Sequence, residues 1–257
     1  MKRRSLLITI LLFGIGIGIT SLGIIFYIFF PFLFNIFIYI LVSGLPQTLL
    51  LTGLGLLGGF LLGITLAIMR IYGSRELQWF SSGYEKLFRG VPVLVLIYIF
   101  AFGIPGIFWF ISPENRLLAA VILALALRSG AYQSQLFRGA ILSVNPGQME
   151  AARSLGMNQF QGFRHIVMPQ ALRLAIPSWS NEYAVVIKDS SFASGIGIIE
   201  LTKAAYRISV VYREIPELWT LSMVFLTIIY FLFTYPITRF FGERQTKKLK
   251  DLGMGGG

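Results

Sequence analysis

The chain has 257 residues, of which 56% are hydrophobic and only 13% are charged, and its mean hydropathy is +0.75. About 25% of the residues in a soluble domain are charged, so this composition excludes an ordinary soluble protein and predicts an all-α, multi-pass membrane protein. The net charge of +11 comes from basic residues at the ends of apolar segments, which is the positive-inside pattern and argues against a nucleic-acid surface.

The N-terminal region, 1–43, is predicted to be a signal-anchor helix followed by an interfacial segment. It begins MKRRSLLITILLFGIGIGIT and stays apolar to about Phe34. At ~1.5 Å per residue this run can cross a ~30 Å hydrocarbon core, and no A-x-A cleavage site follows it. We expect a retained anchor, with a cleaved signal peptide as the alternative. The segment 31–43 is too short to cross separately and is expected at the outer interface.

About six membrane spans are predicted, and most of the 22 Lys and Arg residues fall on the side of the two termini. This bias predicts an N-in, C-in protein of the cell membrane. The segment 191–216 is polar enough for a loop and apolar enough to dip back into the protein. A basic, Gly-rich cytoplasmic tail is predicted at 242–257. The predicted spans are 6–30, 46–70, 86–104, 116–138, 170–190 and 217–241.

Two glycine patterns test whether the chain binds a nucleotide. The run GLGLLG, 53–58, fits G-x-G-x-x-G, but it lies inside a predicted span and lacks the βαβ context of a dinucleotide site. Gly55, Gly59 and Gly63 instead share one helix face and predict close helix packing. The chain has no G-x-x-x-x-G-K-[ST] sequence, so any ATP would be bound by another polypeptide.

The polar segment EAARSLGMNQFQGFRHIVMP lies between two apolar segments on the predicted cytoplasmic side. Before it, the pair Asn145-Pro146 favours a helix start, because Asn is a preferred N-cap and Pro suits the first helical position. Gly156 suits the end of that helix, and Asn158 with Gln161 predicts a capping box for a second one. A helix, a turn and a second helix are therefore predicted within 139–169.

The first of these helices is expected to be amphipathic and to bind a partner protein, with a solvated connecting loop as the alternative. Its predicted apolar positions are Met149, Ala152 and Leu155, and its polar positions are Gln148, Glu150 and Arg153. The single histidine, His165, is interpreted as a packing or hydrogen-bonding residue, because a hydrolytic triad would need a nucleophile and an acid beside it.

The order Glu150-Ala151-Ala152, Gly156 and Ile166-Val167-Met168-Pro169 resembles the EAA loop of binding-protein-dependent ABC importer permeases. Met168 replaces the usual Leu, which is a volume-conserving change. Across 44–241, the stretches GLPQTLLLTGLG, LFRGVPVLVLIYIFAFGIP, SGAYQSQLFRGAI, PQALRLAIPSWSNEYAVVIKDSS and GIIELTKAAYRI resemble the polar amino acid (histidine/glutamine/arginine-type) permease subfamily. Gln135 stands where many relatives have Glu, and the first predicted span is additional to the five-helix core.

The resemblance implies a transport subunit rather than an enzyme. Two such subunits, identical or homologous, would form the pathway in the lipid bilayer, and an extracytoplasmic binding protein would deliver the amino acid. A separate ATPase would bind ATP and Mg and contact the EAA loop, and this chain would have no cofactor, metal or catalytic residue of its own. The implied coupling residues are Glu150, Ala151, Ala152, Gly156 and Pro169. A Gly156→Asp variant is expected to insert normally but not to couple transport.

Ionisable residues inside spans cost about 2.5–3.5 kcal/mol on insertion scales and are functional candidates by default. Arg128 lies in mid-span, and Glu182 and Asp189 are seven residues apart on one predicted helix face. Arg128 is expected to bind an amino acid carboxylate bidentately and an acidic residue to bind the ammonium group. An Arg128–Glu182 pair that merely joins two helices is the alternative. The resemblance adds Asn181, Lys188, Ser190 and Ser191 as pathway-lining residues.

Three other functions remain open from the sequence. One is import of another small zwitterion, and a second is a channel or helical scaffold without ATP coupling, which would not need the EAA loop. An intramembrane enzyme is disfavoured because no cluster of His, Asp, Glu or Cys has metal-ligand spacing.

Overall fold

In a computed structural model, the described residues are 20, 21, 23, 24, 27, 28 and 30–251. This part of the chain is helical and contains no strand, which agrees with the predicted all-α class. Most of the predicted first span, 6–30, and residues 252–257 lie outside it. The α-helices are α1 (Pro31–Tyr72), α2 (Arg75–Gly90), α3 (Val93–Tyr98), α4 (Arg116–Leu142), α5 (Gly147–Ser154), α6 (Gln159–Gly162), α7 (Met168–Asp189), α8 (Leu201–Val211), α9 (Glu217–Ile237) and α10 (Arg244–Asp251). Shorter helical turns lie at Ile99–Gly103, Pro105–Phe108, Pro113–Asn115, Phe163–Val167, Ser190–Ile196 and Thr238–Glu243.

Helix α1 joins two segments that the sequence predicts as separate. The interfacial segment 31–43 and the span 46–70 form one helix of 42 residues. It starts at Pro31. The N–H groups of the first helical residues have no acceptor within the helix, so a Pro, which lacks an N–H, loses no hydrogen bond there. The helix then continues through Pro46.

The glycines of α1 bring it into close contact with α4. A Cβ atom at Gly55 would lie 2.9 Å from the Leu125 Cβ, and one at Gly63 would lie 2.7 Å from the Gln133 Cβ. Only hydrogen fits at these separations, so the predicted role of the glycine face in helix packing is confirmed. This contact fixes the middle of α4, which carries Arg128.

The predicted span 86–104 is not one straight helix. Helix α2 and the segment Val93–Gly103 meet at an angle of 100°. Pro92 cannot donate a helical hydrogen bond and pushes Val91 into an extended conformation, with φ −95° and ψ 129°. Among the described residues, three helices are long and apolar enough to cross a membrane: Pro31–Tyr72, Pro113–Leu142 and Glu217–Lys247. The bent pair would make a fourth.

Helix α7 corresponds to the predicted span 170–190, and its charged and polar residues keep it below the hydropathy of those membrane-length helices. Pro177 lies inside α7, and the helix continues through it. The C-terminal helical segment packs closely on α7, since a Cβ atom at Gly242 would lie 3.1 Å from the Ser180 Oγ.

The segment 191–216 folds back into the protein. Gly197 adopts φ +93°, which favours glycine, at the end of the turn Ser190–Ile196. Helix α8 then packs on α1 so closely that a Cβ at Gly44 would lie 2.6 Å from the Leu201 Cα. The Leu201 N–H also donates to the Thr48 Oγ1 at 3.1 Å. The sequence left two possibilities for 191–216, a loop and a segment that dips back into the protein, and the structure has the second.

Candidate functional site

A buried ionic cluster connects α4 and α7. The Arg128 Nη1 lies 3.3 Å from the Glu182 Oε1, and its Nε lies 3.2 Å from the Asp189 Oδ2. Glu182 and Asp189 are seven residues apart, two turns of α7, so one guanidinium reaches both carboxylates. The Arg128–Glu182 pair expected as the structural alternative is thus present, and Arg128 also contacts the second predicted acid.

The two carboxylates differ in how well they are satisfied. The Glu182 Oε1 accepts hydrogen bonds from Arg128 and from the Ser129 hydroxyl, the latter at 2.8 Å. The buried Asp189 Oδ2 makes no hydrogen bond within the described part of the chain, although the Arg128 charge is adjacent. An unsatisfied buried oxygen of this kind is costly and accepts any suitable donor that reaches it. The Glu182 Oε1 therefore has two hydrogen-bond donors, whereas the Asp189 Oδ2 has only its ion pair with Arg128.

Neighbouring residues that the sequence analysis missed hold the cluster in place. The Arg128 guanidinium carbon lies 4.3 Å from the centre of the Tyr132 ring, a cation–π contact. The Gln133 amide nitrogen donates to the Ser129 hydroxyl at 3.0 Å, and its oxygen accepts from the Trp179 indole at 2.9 Å. Tyr132 follows Arg128 by four residues, so helical periodicity alone places its ring on the face of Arg128.

The other residues predicted to line the pathway lie elsewhere. Asn181 is exposed and lines a separate cavity of about 710 Å³ between α7 and the C-terminal helical segment. Lys188 is exposed, and the buried Ser190 donates to the Ile187 carbonyl. Ser191 is half-buried in the turn that follows α7. From the predicted set, the structure joins Arg128, Glu182 and Asp189 by ion pairs, and the Lys188 charge also acts on the Asp189 carboxylate.

A second buried carboxylate, which the sequence analysis did not select, connects α2 with α4. Glu85 is 2% exposed and accepts hydrogen bonds from the Ser134 hydroxyl, at 2.6 Å, and from the Gln135 amide. Arg70 at the end of α1 lies 3.9 Å from the same carboxylate. This cluster ties three helices together, and Gln135, the residue that departs from the family pattern, contributes to it.

A third buried carboxylate, Glu200, caps α8. It is fully buried and accepts hydrogen bonds from the backbone N–H groups of Thr202 and Lys203, each at 2.8 Å. Burial raises the pKa of the Glu200 carboxyl to about 7, against the lowering effect of these backbone hydrogen bonds. Glu200 therefore stabilises the segment that folds back onto α1.

The polar loop between α4 and α7 has the predicted helix, turn and helix. The Asn145 side chain accepts from the Gly147 N–H at 2.8 Å, while Pro146 rather than Asn145 takes the N-cap position of α5, one residue later than predicted. Gly156 ends the helix with φ +80°. Asn158 and Gln161 form the predicted capping box, with reciprocal hydrogen bonds of 2.9 Å. The His165 Nδ1 donates to the Gln161 carbonyl at 3.0 Å, as expected for a hydrogen-bonding residue.

The two faces of α5 differ in part from the predicted ones. Ala152 is 2% exposed and packs with Met149 against Gly162 of α6. The contact is close, since a Cβ at Gly162 would lie 2.7 Å from the Met149 Sδ. Leu155, predicted at an apolar position of this amphipathic helix, is 79% exposed. It follows the end of α5, where the chain turns towards Gly156, and so leaves the helical face.

The exposed face of the loop therefore combines charged, small and large apolar groups. Glu150 and Ala151 are exposed on α5, and Phe160 is 67% exposed on α6. Pro169 is exposed at the start of α7. Phe160 was not selected from the sequence, although it lies within the quoted motif.

The described chain matches the family called "Binding-protein-dependent transport system inner membrane component" over residues 59–247. The match includes α4, the polar loop and α7, and therefore both the ionic cluster and the capped loop. It begins inside α1, so the N-terminal part of that helix lies outside the matched region.

Curated relatives are similar over most of their length. The nopaline transport system permease protein NocM of Agrobacterium fabrum is 39% identical over 175 residues, which are 65% of this chain and 72% of NocM. The octopine transport system permease protein OccM of Rhizobium meliloti is 38% identical, over 76% of this chain and 82% of OccM. The glutamine transport system permease protein GlnP of Escherichia coli is 30% identical, over 82% of this chain and 94% of GlnP.

Two solved structures have the same fold. A crystal structure of an amino acid ABC transporter with histidines superposes with a TM-score of 0.67 and 30% identity, over 81% of this chain and 94% of that one. An inward-facing MetNI methionine ABC transporter superposes with a TM-score of 0.63 and 21% identity, over 79% and 95%, and this likeness concerns the fold alone.

Proposed function

The chain belongs to the family of binding-protein-dependent transport system inner membrane components, and from this premise we propose that it forms the translocation pathway of an ATP-driven importer of polar amino acids. It is a transport subunit of the inner membrane. The relatives named for nopaline, octopine and glutamine transport support an amino acid or an amino-acid-derived solute. Import of another small zwitterion is the alternative.

The observation that carries the substrate proposal is the Arg128 cluster. Within this part of the protein, one guanidinium lies between two carboxylates, and one of the carboxylate oxygens, the Asp189 Oδ2, lacks a hydrogen bond. An amino acid presents one carboxylate and one ammonium group. Its carboxylate would replace Asp189 on Arg128, and its ammonium group would donate to the released Asp189. Glu182 stays bonded to Ser129 in this exchange, and the net charge of the cluster does not change because a zwitterion is neutral.

The exchange requires little change in the electrostatic balance of the pathway. Removing one partner of a buried ion pair costs about 3–5 kcal/mol because it leaves an unpaired charge. A zwitterion replaces both lost partners at once, which favours it over a ligand of one charge. The Tyr132 ring keeps the guanidinium in position during the exchange through its cation–π contact.

Coupling to ATP is assigned to the loop around Gly156. We propose that its exposed face, formed by Glu150, Ala151, Leu155 and Phe160, docks on a separate ATPase that binds ATP and Mg. The small side chain of Ala151 permits close approach, and the two large apolar groups supply the contact area. A second permease chain, identical or homologous, and an extracytoplasmic binding protein complete the proposed assembly. A channel or scaffold would not need this docking face.

The test is reconstitution of the full complex. The permease, its ATPase and the binding protein are placed in liposomes, and ATP hydrolysis and uptake are measured against a panel of polar amino acids. We expect one or a few of them to stimulate both. Stimulation should be lost in Arg128→Ala and Glu182→Ala and retained in Glu217→Gln, which alters an exposed carboxylate at the start of α9.

The possible results separate the parts of the proposal. If the ATPase co-purifies but no amino acid stimulates it, the amino acid assignment is wrong while the coupling assignment stands. If the ATPase does not co-purify, the docking role of the loop is wrong. If Arg128→Ala transports normally, the ionic cluster only joins α4 to α7.

A further inference from the structure

A second polar cavity lies on the predicted outer side, at the other end of α4 from the polar loop. It has a volume of about 670 Å³, which is in the range of small-molecule sites. Helix α1 supplies Tyr39, Ser43 and Gln47 to its wall, the turn before α4 supplies Glu114 and Asn115, and α8 supplies Arg207. None of these residues contributes to the Arg128 cluster.

The walls of this outer cavity are held by close backbone packing. Gly44 contacts the backbone of Leu201, and the Thr48 hydroxyl accepts from the Leu201 N–H, so α1 and α8 meet without intervening side chains. The buried Glu200 cap fixes the start of α8, and Gly197 turns the chain along the cavity with φ +93°. The cavity is thus preorganised, which reduces the cost of binding a ligand.

The polar groups of the outer cavity are only partly satisfied by their neighbours. Arg207 and Glu114 line the cavity, are exposed and form no ion pair among the described residues, and the Ser112 side chain and the Arg116 charge already act on the Glu114 carboxylate. The Gln47 Oε1 is buried and accepts no hydrogen bond in this part of the structure. A buried acceptor without a donor is uncommon in folded proteins and indicates a missing partner.

The shape of the surroundings indicates the ligand. Arg207 and Tyr39 also line a smaller adjoining cavity of about 330 Å³, whose other walls are mostly apolar or aromatic. A ligand held by Arg207 can therefore place the hydrocarbon part of a polar side chain against these walls while its charges stay in the larger cavity. A guanidinium takes a carboxylate bidentately, and the Glu114 carboxylate and the Gln47 Oε1 are both acceptors suited to an ammonium group.

We propose that the outer cavity is a staging site for a zwitterionic amino acid, in which Arg207 binds the carboxylate while Glu114 and Gln47 accept hydrogen bonds from the ammonium group. The site rests on the proposed import function, since it would hold the solute before transfer to Arg128. It assigns a role to the N-terminal part of α1, which forms one wall and lies outside the matched family region.

The experiment uses the complex of permease and ATPase in phosphatidylcholine liposomes, with radiolabelled glutamine, arginine and histidine as probes. Equilibrium binding without ATP is measured first, and uptake with the binding protein second. We expect two sites per permease chain for the transported probe. Arg207→Gln should remove one of them and raise the apparent KM of uptake roughly tenfold, the effect of losing a charge-assisted contact, with the maximal rate unchanged.

Arg213→Gln is the matched control, because it removes the same charge from the exposed end of the same segment and lines neither cavity. It should bind and transport like the unmodified protein. If Arg213→Gln raises KM as much as Arg207→Gln, the effect is long-range attraction and the site is refuted. Glu114→Gln should also remove the second site, which a loss of positive charge cannot explain.

Phosphatidylethanolamine presents the same two charges as an amino acid, so binding is repeated in vesicles that contain it. We expect the second site to persist. If this lipid abolishes it, the cavity holds a lipid headgroup and the proposal is overturned. One site per chain, lost in Arg128→Ala and unaffected by Arg207→Gln, overturns the staging site alone. A complex that neither binds nor transports any member of the panel of polar amino acids refutes the import function and the staging site together.

Discussion

Gly156 provides the sharpest test of the coupling loop, because its backbone conformation favours glycine while the space around it would admit a side chain. Its φ of +80° is a conformation that other residues rarely adopt, while a Cβ atom there would meet nothing within 4 Å. Any effect of a small substitution within this chain must therefore come from the backbone. Alanine pays about 1–2 kcal/mol in the left-handed region, which lowers the population of the turn roughly five- to thirtyfold.

Three variants separate conformation from charge. Gly156→Ala should lower substrate-stimulated ATP hydrolysis by roughly the five- to thirtyfold loss of the turn. Gly156→Asn should retain most of the activity, because Asn tolerates the left-handed region. Gly156→Asp has nearly the same shape as Asn and adds a charge, so a loss of coupling specific to Asp shows that the turn faces the ATPase.

The assay is ATP hydrolysis by the complex in liposomes, alongside membrane insertion and co-purification of the ATPase. Gly139→Ala is the control, because it adds a Cβ in open space on a regular helix. The reasoning is refuted if Gly156→Ala hydrolyses ATP like the unmodified protein, or if Gly139→Ala loses as much activity. If Asn and Asp behave alike, the charge of the turn is not involved in docking.

Two predictions concern the packing of α4. Gly63→Val should lower the melting temperature in detergent, because its Cβ would lie 2.7 Å from the Gln133 Cβ and overpacking costs about 1–3 kcal/mol. Gly53→Ala is the control and should leave the melting temperature unchanged, because a Cβ there lies in open space. Equal melting temperatures of the two variants would contradict the packing argument. Glu85→Ala should be destabilising by about 1–3 kcal/mol for each donor left without an acceptor, whereas Glu76→Ala on the exposed part of the same helix should have little effect in the same melting assay.

The sequence was most informative where a signal is local. The capping box at Asn158 and the helix end at Gly156 were predicted, because capping and helix termination depend on a few adjacent residues. The glycine face of α1 was predicted for the same reason, since helical periodicity alone places these residues together.

The sequence was least informative where distant elements meet. Arg128, Glu182 and Asp189 stood out as charges within apolar segments, but their ion pairs depend on how α4 packs on α7. Asn181 adjoins Glu182 in sequence and lies in a different cavity. Leu155 was predicted at an apolar position of α5, together with Met149 and Ala152, and the turn that follows the helix exposes it.

The sequence by itself determined that this protein is an all-α membrane protein with a capped polar loop, because composition, periodicity and caps are properties of short segments. Only the tertiary structure decided that Arg128 pairs with Glu182 and Asp189 and that 191–216 folds back onto Gly44. These outcomes depend on contacts between segments far apart in the chain. No short stretch of sequence specifies which distant helix will satisfy a buried charge or cover an apolar face.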